Sequence, residues 1–359
     1  MCIMDPVAEI HFYGWWALVY IQKQFSNYSE WMLFLSKLGD PRYAFLIYFP
    51  VAFCLSRSRG TQVLWVACSA EWLNAVLKLI LHGDRPYWWV GETYKYKEKA
   101  ELETMLPTQY NLTCETGPGS PSGHAMVTSA VFFVLVKGIL DSRQKHQSRI
   151  MQAALWTSFA AIILAVDISR VFIATHFPHQ VIMGTLIGIG IGAIINMDVV
   201  ASLRSKHYLL GTMVAVGGCM LTYYALLSLG YDPLWSIPMA HKWCATSTWV
   251  HPDTSLFFAV IRDISCLAGF GFSVYIFEKK SSEEKPGSVH IMSKILQIVS
   301  SLCVTLMSEN IKLPRDSDAI FYGAAFIKFF LMVLVLVVQI PAVFDRCASK
   351  SNCTKKKNS

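Results

Sequence analysis

The chain has 359 residues, of which 54% are hydrophobic and 15% charged, with a formal net charge of +7 and a mean hydropathy of +0.41. These values exclude an ordinary soluble domain, and apolar runs of about 20 residues recurring from end to end identify a polytopic membrane protein. The positive charge does not mark a nucleic-acid partner: no nucleic-acid motif is present, and the basic residues fall in loops between the apolar runs.

Met1 to Glu9 is acidic where a secretory leader would be basic, so no signal peptide is expected. Ile10 to Tyr20 is too short to span a bilayer and is expected to lie along its surface. Nine spans follow, at about 32–55, 60–81, 122–140, 150–168, 179–196, 208–228, 255–277, 289–308 and 319–342, and each must be α-helical because unpaired backbone cannot face lipid. In the first span, Leu38-Gly39-Asp40-Pro41-Arg42 puts two charges at membrane depth, where they either neutralise each other or serve function. In the second, Glu71, Asn74, Lys78 and Arg85 stand at i, i+3, i+7 and i+14, which at 100° per residue predicts a polar stripe about 60° wide.

The loop Tyr87 to Thr116 is the longest outside the membrane, with Tyr87-Trp88-Trp89 expected as an interfacial aromatic belt. It leads into Gly117-Pro118-Gly119-Ser120-Pro121-Ser122-Gly123-His124, a tight turn in which Ser122 is a candidate N-cap for the third span. Small residues and the unpaired N–H groups of a helix start make an anion site, and His124 beside it can move protons. The fourth span ends at Asp167-Ile168-Ser169-Arg170, and Val171 to Gln180 then carries Thr175-His176-Phe177-Pro178, with Pro178 suited to start the fifth span. Spans six to nine hold few charges. Their glycines and Tyr223-Tyr224 predict close helix packing, and Asp232 to Asp253 offers at most a substrate contact.

Lysine and arginine cluster in alternate loops, from Arg57 and Arg59 through Arg143, Lys145 and Arg149 to Lys355, so those loops and the C-terminus are predicted to be cytoplasmic. Asn27 and Asn111 then fall on the opposite side, and Asn111, in the long loop, is the better glycosylation candidate. Most of the ten cysteines sit in apolar spans as small buried fillers; Cys114 and Cys244 share the non-cytoplasmic side and could pair. On that same side span parity gathers Lys78, Arg85, His124, Arg170 and His176. Three fixed cations, two histidines and a glycine-rich helix start make a phosphate site.

Lys78-x6-Arg85-Pro86, Pro121-Ser122-Gly123-His124 and Ser169-Arg170-x5-His176 together resemble the three-part signature of the type 2 phosphatidic acid phosphatase and vanadium haloperoxidase superfamily. Within it, Arg85 to Val90, Cys114 to His124 and His176-Phe177-Pro178-His179-Gln180 resemble glucose-6-phosphatase catalytic subunits over nearly the whole chain. Lys356-Lys357-Asn358-Ser359 matches a dilysine retrieval signal of the endoplasmic reticulum, which makes the non-cytoplasmic side the lumen. The resemblance implies a single all-α transmembrane phosphatase domain, 1–359, with a lumenal N-terminal segment 1–30, a long lumenal loop 87–117 and a cytoplasmic tail 344–359.

It also implies hydrolysis of glucose 6-phosphate, a step of gluconeogenesis, through a phosphohistidine. His176 would be the nucleophile and His124 the acid and base, with Lys78, Arg85, Arg170 and the N–H groups of Ser122 and Gly123 holding the phosphate. No metal or other cofactor is expected, since the three cations supply the charge that magnesium would. A separate glucose-6-phosphate transporter is the implied partner. The superfamily usually orients the nucleophile with an aspartate four residues later; here that position is Gln180, leaving Asp40 or Asp167 as the candidate orienting carboxylate. Leu38-Gly39-Asp40-Pro41 and Glu71-Trp72-Leu73-Asn74 look closer to the widely expressed form of the family than to the liver form, which keeps other sugar phosphates, such as anhydroglucitol 6-phosphate, open as substrate. The rival readings are a lipid phosphate phosphatase using the same site, and a sugar-phosphate carrier that performs no chemistry.

Overall fold

A computed structural model describes residues 6–94, 103–142, 148–251, 254–280 and 291–344; every regular element among them is a helix. The expected all-α membrane architecture is therefore the one observed. Seven helices are long and apolar enough to cross a bilayer, and Ala44–Leu55 and Pro178–Ile194 are shorter apolar helices. The retrieval residues Lys356 and Lys357, and all but the first residue of the tail 344–359, lie outside the described residues.

The chain forms two compact units, one of Met1–Pro41, Ser69–Ile194 and Gly217–Val260, the other of Arg42–Cys68, Ile195–Val216 and Ile261–Ser359. The first predicted span, 32–55, is broken. Helix α2 (Ser29–Leu38) stops at Gly39, and a π-helical turn, Ala44–Tyr48, leads into α3 (Phe49–Leu55). Gly39 and Pro41 explain the break, one by lacking helix preference and the other by lacking an N–H. Ahead of them α1 (Pro6–Gln24) is a full helix whose His11, Gly14, Trp15 and Leu18 are buried.

In the first unit α4 (Arg57–Leu81) leads to the short α5 (Pro86–Thr93). The core is the pairing of α6 (Gly123–Ser142) with α8 (Pro178–Ile194), and α7 (Arg149–Phe172) packs on both, as well as on α1 and α2. Gly184, Gly188 and Gly192 recur every fourth residue on α8, so they share one face. A methyl group at any of them would run into the α6 backbone at Ser122, Met126 or Ala130. The close glycine packing expected in later spans is found there as well, for instance at Gly269 against the Phe330 backbone, and it recurs here, where the backbones of α6 and α8 must nearly touch.

A short helix, α9 (Met197–Ala201), and the long apolar α10 (Ser205–Ser228) precede α11 (Ser236–Trp243). Helix α11 packs against α5. Tyr87, Trp88 and Trp89 are buried there with Trp15, Phe177 and Ala240. They form a core beneath the long loop instead of the predicted interfacial belt, because α1 and α11 cover them. The second unit completes the chain with α12 (Leu256–Lys280), α13 (Ile291–Asn310) and α14 (Asp318–Leu334). Within it α13 packs on α3 and its π-helical lead-in.

Candidate active site

Three segments of the first unit build the site. Asn74 and Lys78 are buried on the last turns of α4. The helix ends at Leu81, and His82 takes a left-handed φ of 47°. Arg85 follows in extended backbone as the residue before α5. It therefore does not continue the α4 stripe, contrary to the periodicity; a residue preceding proline is disfavoured in helix, and Pro86 directly follows it. The second segment leaves α7 at Phe172 and turns through Ala174, φ 58°, to present His176 before α8 begins at Pro178. Non-glycine residues in this region cost energy, so packing must hold both turns.

The glycine-rich loop is the third segment. Ser122 caps α6: its carbonyl accepts from the Met126 N–H at 3.1 Å, and its hydroxyl from Ala125 N–H at 3.5 Å. Its own N–H donates to the Gln180 carbonyl at 3.0 Å and so serves the loop, not a ligand. Gly123 opens α6, which leaves its N–H without a helical acceptor. Asn74 donates to the Pro121 carbonyl at 3.0 Å, and Gly119 N–H to the Gly83 carbonyl at 2.6 Å. A disulfide joins Cys114 to Cys244, and Ser236 donates to the Thr116 carbonyl at 2.8 Å. The two cysteines that could pair do so, and with Ser236 they fasten the loop to the α11 segment.

Arg85 is fully buried and works as a staple. Its Nε donates to the Gly117 carbonyl at 2.6 Å, Nη2 to Pro118 at 3.1 Å and Nη1 to Thr175 at 3.2 Å, which ties the glycine loop to the His176 turn. Its Nη2 also lies 3.0 Å from Glu115 Oε2. Arg170, held by the Ser36 hydroxyl at 2.7 Å, pairs through its own Nη2 with Glu115 Oε1. His124 Nδ1 stands 3.8 Å from that same oxygen. One carboxylate is thus shared by two guanidiniums and an imidazole. Lys78 Nζ reaches the same loop: a Cβ placed on Gly117 would lie 3.9 Å from it. Burial alone would raise the Glu115 pKa, but Arg170, Arg85, His124 and Lys78 outweigh it and hold the carboxyl well below its usual range.

His176 is fully buried, and its Nδ1 faces two acceptors, the Gly119 carbonyl at 2.8 Å and Gln180 Oε1 at 3.3 Å. Gln180 Oε1 is fixed as the oxygen because it accepts from Phe177 N–H at 3.1 Å, while Nε2 donates to the Asp84 carbonyl at 2.7 Å. The imidazole proton must therefore sit on Nδ1, and Nε2 carries the lone pair. That Nε2 is buried and has no hydrogen-bond partner among the described residues, and the same holds for Nε of Arg170. Burial, then Arg85 and Arg170, push the His176 pKa well below its ordinary value, so the ring is neutral. An uncharged imidazole nitrogen with its lone pair free, near two guanidiniums, has the chemistry of a nucleophile toward an anion.

Residues 59–204, which hold all three segments of this kind except the long loop's tie to Cys244, match the PAP2 superfamily model. Mouse glucose-6-phosphatase 2 is 37% identical over 92% of this chain and 95% of its own. Dog glucose-6-phosphatase catalytic subunit 1 is 35% identical over 95% and 98%, and human glucose-6-phosphatase 2 is 36% identical over 92% and 95%. The chain belongs to the glucose-6-phosphatase family. No solved structure matches it significantly.

For this member of the glucose-6-phosphatase family the structure gathers Lys78, Arg85, His124, Arg170 and His176 about one loop, and corrects two expectations. Ser122 does not offer its N–H, as described above. Among the described residues the His176 ring is held by the Gly119 carbonyl and Gln180, not by a carboxylate. Asp167 instead accepts from the Thr185 hydroxyl at 2.7 Å. Asp40 acts electrostatically on His124 and Arg170. Asn111 is exposed in the loop, as a glycosylation acceptor must be. Sequence reasoning missed Glu115, Ser36 and the work of Gln180. A carboxylate beside a phosphate loop argues against anion binding by charge, so only its place between Cys114 and the glycines could have drawn notice.

Proposed function

We propose that this protein hydrolyses glucose 6-phosphate to glucose and inorganic phosphate through a phosphohistidine formed on His176. The buried, unpartnered Nε2 of His176, with its proton held on the far nitrogen, carries the reading. In the first step Nε2 forms a bond to phosphorus as the bond to the sugar oxygen breaks, and protonated His124 gives that oxygen its proton. In the second, His124 takes a proton from water, the oxygen of which displaces His176 and releases phosphate. Lys78, Arg85, Arg170 and the Gly123 N–H neutralise the charge that spreads over the transferring phosphoryl oxygens.

The site is proposed to face the lumen of the endoplasmic reticulum, which fits the charge bias of the loops and the terminal dilysine, and a separate transporter would deliver the substrate. Purified protein in detergent should release phosphate from glucose 6-phosphate, which a carrier cannot do, and a panel including anhydroglucitol 6-phosphate and phosphatidic acid would rank the substrates. His176→Ala should abolish both turnover and trapping of labelled phosphate. Label that still attaches to this variant would move the nucleophile elsewhere.

A further inference from the structure

We infer that Glu115 is a built-in competitor for the phosphate site: its carboxylate pairs with both Arg85 and Arg170, and must leave before a phosphate is held there. The inference rests on the assignment of this site to phosphate. A carboxylate and a phosphate present the same planar pair of oxygens to guanidinium donors. Glu115 uses them in the phosphate manner, Oε1 on Arg170 and Oε2 on Arg85. Two anions cannot share that pair of cations without strong repulsion.

A purely structural ion pair is the alternative, and the anchoring of its partners argues against it. Arg85 is fixed by three backbone carbonyls and Arg170 by Ser36, all independent of Glu115. The cations therefore stay in place when the carboxylate leaves. The Glu115 backbone is pinned as well, its N–H donating to the Thr113 carbonyl at 2.9 Å and its carbonyl accepting from the Tyr87 hydroxyl at 3.0 Å. Only the side chain needs to turn. A site occupied by its own carboxylate for nine-tenths of the time binds phosphate about tenfold more weakly than an open one. That weakening acts on product as on substrate, so it favours release of phosphate after each turnover.

Binding of inorganic phosphate to the purified full chain tests this, read by thermal shift and as the inhibition constant. Glu115→Gln keeps the shape and removes the charge, and should bind phosphate at least about tenfold more tightly, with KM and kcat both falling as product lingers. Glu115→Asp keeps the charge one methylene short of both arginines and should bind phosphate with an affinity between the two. If both variants bind phosphate no better than the unaltered protein, while Arg170→Ala loses it, the competitor role is overturned and the phosphate site stands. If Arg170→Ala binds phosphate as well as the unaltered protein does, the site assignment fails and takes the inference with it.

Discussion

Each unit of the molecule buries arginine beside carboxylate, yet the two arrangements differ. In the second unit Arg262 and Asp263 are adjacent on α12, both nearly fully buried, with Nε 3.3 Å from Oδ1. The guanidinium carbon of Arg262 lies 5.2 Å from the centre of the Phe45 ring. There one guanidinium lies beside one carboxylate. In the first unit Arg85, Arg170 and Lys78 all act on the carboxylate of Glu115, with Asp40 also acting on Arg170 and Glu71 on Lys78, and a neutral histidine lies among them. Several cations converging on one side chain are an arrangement in which a ligand anion could take the place of the carboxylate, whereas a pair of adjacent helix residues offers a ligand no such exchange.

Breaking both arrangements should separate the two roles. Arg170→Ala should lower kcat/KM by about a thousandfold or more, comparable with loss of one preorganised donor to a transition-state oxygen, while the protein remains folded. Asp263→Asn should do the reverse, costing about 3–5 kcal/mol of stability by taking the charge from one partner of a buried ion pair. Its folded fraction should keep near-normal kcat. The two variants are compared by phosphate release per folded molecule and by thermal unfolding; equal losses of activity would erase the distinction.

Gln180→Ala sharpens the comparison within the first unit, because Gln180 bears no charge. It removes the amide oxygen facing His176 Nδ1 and the donor to the Asp84 carbonyl, but leaves the Gly119 carbonyl to hold the ring. A loss of about 10–100-fold in phosphoenzyme formation is expected, the usual cost of removing an outer partner that orients a reactive histidine. Gln180→Glu, which restores a carboxylate acceptor, should recover part of that loss if orientation is the function.

Much of this site was legible because its chemistry is written as three short motifs whose spacing survives any uncertainty in helix ends. Span parity then placed Lys78, His124, Arg170 and His176 together without knowledge of side-chain direction. Arg85 was placed with them by the same parity and motif, and only the polar stripe drawn through it failed. The 100° arithmetic ran through Leu81, whereas His82-Gly83-Asp84 is non-helical and Arg85-Pro86 already argued for a break. Glu115 and Ser36 were illegible for a deeper reason. Their parts depend on contacts 55 and 134 residues away in the chain, with Arg170 as partner of each, and no local period encodes such a pairing. The Cys114–Cys244 bridge spans 130 residues and was open for the same reason.

The smallest expected effect is a shift in a pH profile. Burial, Arg85 and Arg170 all lower the His176 pKa, so the folded protein holds this ring neutral where a free histidine would already be charging. Two consequences follow with definite sign. The histidine contributes stability that is full above the unfolded value of about 6.5 and is lost as pH falls below it, because there the unfolded chain binds the extra proton. If His176 is the nucleophile, as proposed, the acid limb of kcat/KM reports its protonation in the free enzyme and should likewise lie below the ordinary histidine range. Removing one of the cations must relax the second effect. In Arg170→Ala the residual activity should show that limb moved to higher pH, toward but not reaching the free value, since burial remains. In Asp263→Asn the limb should not move at all, because the ion pair of the second unit sets no proton affinity at His176.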